Sequence, residues 1–313
     1  MATQFGRITI DGSDLEVLAR NALGPGTATP NPFIDPAVER RQREEVSAKA
    51  AAAQRRYEKD VVDLLDMIRR AAVGRAVFDE IWRQGPIFDV VIKPHLIDSF
   101  WEKEIEKWKK LSKTGPESLR EYYKEKVKEC EKKALEEEPN ASASRAGRGG
   151  QPDRLGREGR RQKALVRFTP ANWTYNPINA DLGIGISFSG PGSEPDEVLL
   201  HELIHAFRYA SGRVPEPNKQ RKVPFQKQYD NIEEFIAILI TNIYRSERGR
   251  KHLRSGHDKY FWWRDTDNDA FLAEGINRMH VRKLRTQHPR LFNALNDVKA
   301  AFNPLREFRD ALV

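Results

Sequence analysis

Apolar positions recur at helical spacing in the first long uninterrupted stretch of the chain. "PAVERRQREEVSAKAAAAQRRYEKDVVDLLDMIRRAAV", opening at Pro36, is rich in Ala, Glu, Arg and Leu, and its Val61, Leu64, Leu65 and Ile68 share one stripe. The pattern predicts a long helix whose first half is mostly solvated. "GRAVFDEIWRQGPIFDVVIKP" follows, a helical turn and then a β-rich run ended by Pro94. From about Ser99 to Glu138, Lys and Glu alternate at spacings of three and four, which predicts a solvated helical pair broken at "TGPES". Farther on, "ALVRFTP" and "LGIGISFSG" alternate or cluster apolar residues as strands do, while "SEPDEVLLHELIHAFRYA" and "DNIEEFIAILITNIYRSERG" read as helices. From Asp269 the chain is mostly helical, with a stop at Pro304.

Two segments lack such a pattern. Residues 1–35 are short phrases broken by Gly and Pro, and read as a flexible leader holding one short strand in "GRITIDG". Residues 137–163 read as a disordered basic linker. Within it, 141–163 carries seven Arg or Lys against two acids, and its one aliphatic residue larger than alanine is Leu155, too little apolar surface to fold on. The expected organisation is α+β: the leader, a helical region over 36–136 that lends a helix and strand at about 72–94 to the core, the linker, and the main core over 164–313.

Composition narrows the classes. With 39% hydrophobic and 32% charged residues, the chain is globular but unusually polar. The net charge of +8 favours acidic partners, so the 141–163 segment is a candidate for acidic or nucleic-acid contact through phosphates, although no aromatics interleave there to stack on bases. Cys130 is the single cysteine, which excludes a disulfide framework or thiolate cluster and fits a reducing compartment. Neither a cleaved signal peptide nor a run long enough to span a bilayer is legible, so export is expected to use a route without a cleaved signal.

The chemistry lies in "EVLLHELIHAFRYASG". Ser193 can cap its helix, Pro195 suits the first turn, and Asp196 and Glu197 favour the positive end of the dipole. At 3.6 residues per turn His201 and His205 project from one face, so both rings can reach one cation. Glu202 lies beside them, where it can take a proton from water activated by that cation. This is the H-E-x-x-H arrangement of zinc hydrolases, with one Zn²⁺ per chain as the expected cofactor. Leu199, Leu200, Leu203, Ile204 and Phe207 surround the motif, and two buried histidines beside a buried glutamate need a partner.

Catalytic zinc needs a third protein ligand and an open position. The pattern H-E-x-x-H-x-x-G-x-x-H fails here, because Arg208 and Ser211 replace its glycine and third ligand. The helix of "YDNIEEFIAILITNIY" offers Glu233 and Glu234 in its first turn. If Asp230 is the N-cap, Glu233 sits where a capping box reaches back, leaving Glu234 for the metal with Glu233 as the alternative and Asp230 a remoter third choice. Tyr229, Arg208, His257 and Tyr260 are candidates to stabilise charge developing on a carbonyl oxygen. The strand with Gly183, Gly185 and Ile186 is a candidate edge for binding an extended peptide.

"LLHELIHAFR", preceded by a Gly-rich strand and "PDEV" and followed by "EEFIAILITNIYRSE", together with "GRAVFDEIW" and "VVIKP", resembles the zinc metallopeptidase effectors that Gram-negative bacteria inject through type III secretion. The resemblance implies a zincin-like core of the glutamate-zincin class: a small mixed sheet, an active-site helix and a glutamate helix, here with long charged helices added. It implies a zinc endopeptidase that cleaves a host protein, a signalling kinase in some members, after secretion without a cleaved signal into a host or target cytoplasm. Many such enzymes carry an acid four residues after the third ligand to orient a histidine; Ile238 stands there. Two rival readings are another zinc amidohydrolase, such as a deformylase, and a non-enzymatic binding or scaffold protein with a vestigial metal site.

Overall fold

The computed structural model describes residues 2–15, 36–84, 88–94, 99–136, 142–146, 162–170, 173, 192, 194–210, 229, 231–250, 252–254, 256, 262–263 and 268–308. They form a mostly helical α+β molecule around a small mixed sheet. In chain order the sheet strands are β1 (Thr3–Phe5), β2 (Ile8–Ile10), β3 (Phe88–Lys93), β4 (Ser142–Ala146) and β5 (Gln162–Arg167), arranged β1-β2-β3-β5-β4. The inner strands β2, β3 and β5 are parallel, and β1 and β4 close the edges antiparallel.

The sheet's inner face follows from alternation. Phe88, Val90 and Ile92 of β3 are buried while the residues between them are half-buried. Register then aligns Ile8, Val90 and Ala164 in one cross-strand row and Ile10, Ile92 and Val166 in the next, all within 1% of full burial. Parallel strands require a crossover. Between β2 and β3 it is made by α1 (Pro36–Arg70) and α2 (Ala72–Arg83), whose Tyr57, Val61, Leu65, Ile68, Val77, Phe78 and Ile81 join the core. Between β3 and β5 lie α3 (Ser99–Thr114) and α4 (Arg120–Glu136), which pack on each other, with a 3₁₀ turn at Glu117–Leu119 between them.

One expectation is extended and one corrected. The short strand read in "GRITIDG" is β2, and β1 precedes it in the sheet: Gly6, with φ of 59°, makes a two-residue turn that pairs Phe5 with Ile8, and Ile8 and Ile10 are fully buried. Thr3 and the Gly12 N–H donate to Glu58 on α1, and Lys93 sits 3.2 Å from Asp11 and 3.0 Å from Asp14, tying this segment down. The basic stretch also contributes a strand, β4, paired with β5 from Ser142↔Arg167 to Ala146↔Lys163. A composition poor in apolar residues hides such a strand because edge pairing is satisfied by backbone hydrogen bonds.

The remaining helices are α5 (Pro195–Ala210), α6 (Ile232–Glu247), α7 (Asn268–Ala273), α8 (Gly275–Gln287), α9 (Pro289–Asn296) and α10 (Pro304–Glu307), with a two-stranded ribbon of β6 (Leu253–Arg254) and β7 (Trp262–Trp263) after α6. Helix α5 packs against β4, β5 and α6. Helix α6 is buried from Phe235 to Arg245, as its run "FIAILITNIY" requires. Among the described helices none is long and apolar enough to cross a membrane.

Candidate metal centre

Two buried ion-pair clamps hold α5 and α6 antiparallel. At the start of α5, Glu197 accepts from Arg245 and Arg250, and Asp196 accepts from the Tyr244 hydroxyl at 2.7 Å and from Arg250. At its end, Arg208 forms a bidentate pair with Glu233, and its Nη2 also donates to Gln287 at 3.1 Å. Arg208 is fully buried and Glu233 is 3% exposed. Side chains from mid-α5 and from the first turn of α6 are thereby brought to a common point.

His201 and His205, each 6% exposed, point their Nε2 atoms at one another across 3.0 Å. Glu234 completes the cluster, with Oε2 3.2 Å from His201 Nε2 and Oε1 3.3 Å from His205 Nε2. A tetrahedral ion with ligand bonds of about 2.1 Å sets its donor atoms about 3.4 Å apart, close to this triangle. Two imidazoles and a carboxylate are also a donor set that suits zinc. The cluster can therefore hold a metal ion. The Glu234 side chain is 18% exposed, the most exposed of the three.

The electrostatics agree with a cation site. Burial brings His201 down to about 4 in spite of its hydrogen bond to Glu234, so its ring is neutral and able to ligate near neutral pH. Burial acts the same way on His205, but Glu234, with Glu202 and Glu233 nearby, outweighs it and raises that pKa. Burial would raise Glu234 too, yet hydrogen bonds from both histidines hold it far below the usual carboxylate range. The site stabilises positive charge at its centre and negative charge on Glu234. Among the described residues, neither His201 Nδ1 nor His205 Nδ1 has a hydrogen-bond partner, and Ile238 is a buried apolar residue.

The cap of α6 is one residue later than expected. Asn231 is the N-cap, its side-chain oxygen accepting from Glu233 N at 2.8 Å and Glu234 N at 3.0 Å. Asp and Asn cap equally well, so residue type could not choose between adjacent positions. What separates the two glutamates is Arg208, which holds Glu233 and leaves Glu234 to the histidines. Arg208, a candidate charge stabiliser by sequence, directs Nε and Nη2 to Glu233 and Gln287 instead.

Glu202 is 7% exposed, and its charge acts on His205. Tyr229 is 4% exposed, with its ring edge-on to Phe235 at 5.0 Å, and burial and the charge of Glu274 push its ionisation up. Ser193, Asp230, His257, Tyr260, Gly183, Gly185 and Ile186 lie outside the described residues. Sequence reasoning missed Arg245, Arg250, Asn242 and Arg254. Arg254 is held by Asn242, whose Nδ2 donates to its carbonyl oxygen and whose Oδ1 accepts from its N–H. No motif surrounds it in "HLRSG" that could have singled it out.

A family model for Peptidase M91, described as an effector protein, matches residues 45–242. The chain belongs to this family of effector peptidases. The match runs from α1 to α6 and so contains His201, Glu202, His205 and Glu234. Family membership agrees with the resemblance to type III effector metallopeptidases carried by "LLHELIHAFR" and "EEFIA". No curated protein and no solved structure matches the chain.

Proposed function

We propose that this M91 family member is a zinc-dependent endopeptidase with a zincin-like core, delivered as an effector to cleave a protein of a host cell, a signalling kinase being one candidate. The observation that supports this most directly is the convergence of His201, His205 and Glu234 from two clamped helices onto a triangle of zinc dimensions. Bound there, zinc would supply a Lewis acid that polarises a peptide carbonyl and acidifies a water molecule.

The chain's own groups do the rest. His201 and His205 offer Nε2 and Glu234 a carboxylate, and a catalytic ion held by three such ligands keeps one position for water or substrate. Glu202 accepts the proton of the attacking water as its oxygen bonds to the carbonyl carbon. It then returns that proton to the amide nitrogen as the C–N bond breaks, and the water's second proton passes from the new carboxyl group to the amine, so the products are a carboxylate and an ammonium group. The antiparallel clamps keep the donors in place without substrate, which removes reorganisation from the catalytic step.

Zinc content and new N-termini test this reading together. The purified protein is expected to carry close to one zinc per chain, and His201→Ala to carry little. Wild-type protein added to eukaryotic lysate should generate new N-termini that Glu202→Gln does not. A wild-type chain without zinc, or identical N-termini from both, would overturn the proposal.

A further inference from the structure

A cavity of about 370 Å³ is lined by Phe5, Gly6 and Arg7 at the β1–β2 turn, Arg69 at the end of α1 and Trp82 on α2. That volume is within the range of small-ligand sites. Its aromatic wall is rooted in the core: Trp82 stacks on Phe78 with centroids 5.6 Å apart and planes 16° from parallel, Phe78 is fully buried, and Phe5 lies 5.7 Å from the same ring. Gly6 lets the turn close onto the indole, since its φ is 59° and a Cβ there would lie 2.9 Å from Trp82 Nε1. The Arg69 guanidinium stands over this wall, 5.5 Å from the Trp82 ring centroid and 6.0 Å from that of Phe5. The rings hold its charge in place without using its N–H donors.

Those donors have no acceptor in the fold. Among the described residues, neither the Arg7 nor the Arg69 side chain makes an ion pair or a hydrogen bond, and no residue lining the cavity is acidic. By contrast, Arg208, Arg245 and Arg250 each pair with a carboxylate. Two uncompensated positive charges on one cavity repel each other, and a dianion between them turns that repulsion into attraction. A phosphate monoester carries that charge and has the oxygens to accept from both arginines, and the net charge of +8 draws anions to the surface. The cavity exceeds one phosphate group in volume, and the rest of its side-chain lining is the aromatic surface of Phe5 and Trp82. We propose that it is a binding site for a small organic phosphate, with the phosphate between Arg7 and Arg69 and the organic part against Phe5 and Trp82. Phe5, Gly6 and Arg7 precede the residues 45–242 that match the family model, and no lining residue belongs to the metal centre, so the site stands apart from the peptidase chemistry.

Titration of the full chain with phenyl phosphate, followed by phosphorus NMR at about 0.15 M salt, tests the site. The wild type should saturate with a Kd of about 1 mM or tighter, and inorganic phosphate should bind more weakly. Arg7→Ala and Arg69→Ala should each weaken phenyl phosphate about tenfold or more, because each removes charge-assisted donors, with zinc content unchanged. Arg69→Met keeps an unbranched chain to cover the rings and should lose as much as Arg69→Ala. Arg55→Ala, which removes an exposed arginine of α1 outside the cavity, should bind as the wild type does. Absence of saturation in the wild type would overturn the proposal, as would affinities within about twofold of wild type in both arginine-to-alanine variants. An equal loss in Arg55→Ala would reduce the binding to general surface charge, and a loss in Arg69→Ala that Arg69→Met does not share would reduce it to packing; either overturns the site. Equal affinities for phenyl and inorganic phosphate would overturn the organic part of the ligand.

Discussion

Glu233 and Glu234 are chemically identical neighbours with opposite tasks, and the difference lies in what each meets. Glu233 is buried in a bidentate pair with Arg208, while Glu234 lies 3.2 and 3.3 Å from the two imidazoles. Glu234→Ala is therefore expected to abolish stoichiometric zinc binding, measured by metal analysis after gel filtration, while leaving the chain folded. Glu202→Gln should retain zinc and lower kcat about 100- to 10,000-fold, because the substituted amide accepts no proton. Equal turnover in Glu202→Gln and wild type would show that the base lies elsewhere. The H-E-x-x-H spacing was legible because helical periodicity alone puts His201 and His205 on one face. The choice between the glutamates was argued from a cap at Asp230, and the observed cap at Asn231 shows that this ground was a residue out of place.

The two ligand-bearing helices owe their relative position to charge pairs that neither helix announces on its own. Arg208→Ala would leave Glu233 charged and buried without its partner, an outcome that typically costs about 3–5 kcal/mol. Chemical denaturation should show that loss, and zinc affinity should fall with it, since the same pair sets where the first turn of α6 stands. Asn231→Ala removes a cap and is expected to cost about 1 kcal/mol, with a smaller loss of zinc affinity. Helix α6 could be placed from its apolar run and α5 from its capping residues. Their pairing could not, because Glu197 with Arg245 and Arg208 with Glu233 are long-range contacts between residues of the type that usually stay in solvent.

Across the whole molecule, the first strands complete the sheet beneath the site. Asp11 links them to β3: burial opposes its ionisation, but hydrogen bonds from Ser13 and Lys93 outweigh it and hold the carboxyl below its ordinary value of 3.8. A depressed folded-state pKa contributes stability that is complete above the unfolded value and disappears as pH falls through the folded one. Melting temperature should thus drop as pH is taken from about 5 to below 3.8, and Asp11→Asn should flatten part of that drop. Ile8→Ala, which removes a fully buried side chain, should cost about 2–5 kcal/mol in the same protein. A melting point unchanged by that substitution would show that β2 is dispensable to the core.

The sequence by itself determined what depends on near neighbours: the helical periods of α1, α5 and α6, the alternation of β3, the solvated character of α3 and α4, and the pair of histidines one turn apart. Tertiary structure decided what depends on distant partners. The short strand legible in "GRITIDG" joins the sheet because β3 offers Ile8–Ile10 a parallel neighbour, Thr3–Phe5 pairs antiparallel with it in turn, and 142–146 became an edge because β5 offers it an antiparallel one. Glu234 faces the histidines because Arg208 takes Glu233, and the Arg254 backbone is fixed because Asn242 on α6 holds it. Periodicity reports which face of an element is apolar; only packing settles which buried charge lies opposite which, since that depends on the positions of groups tens of residues apart.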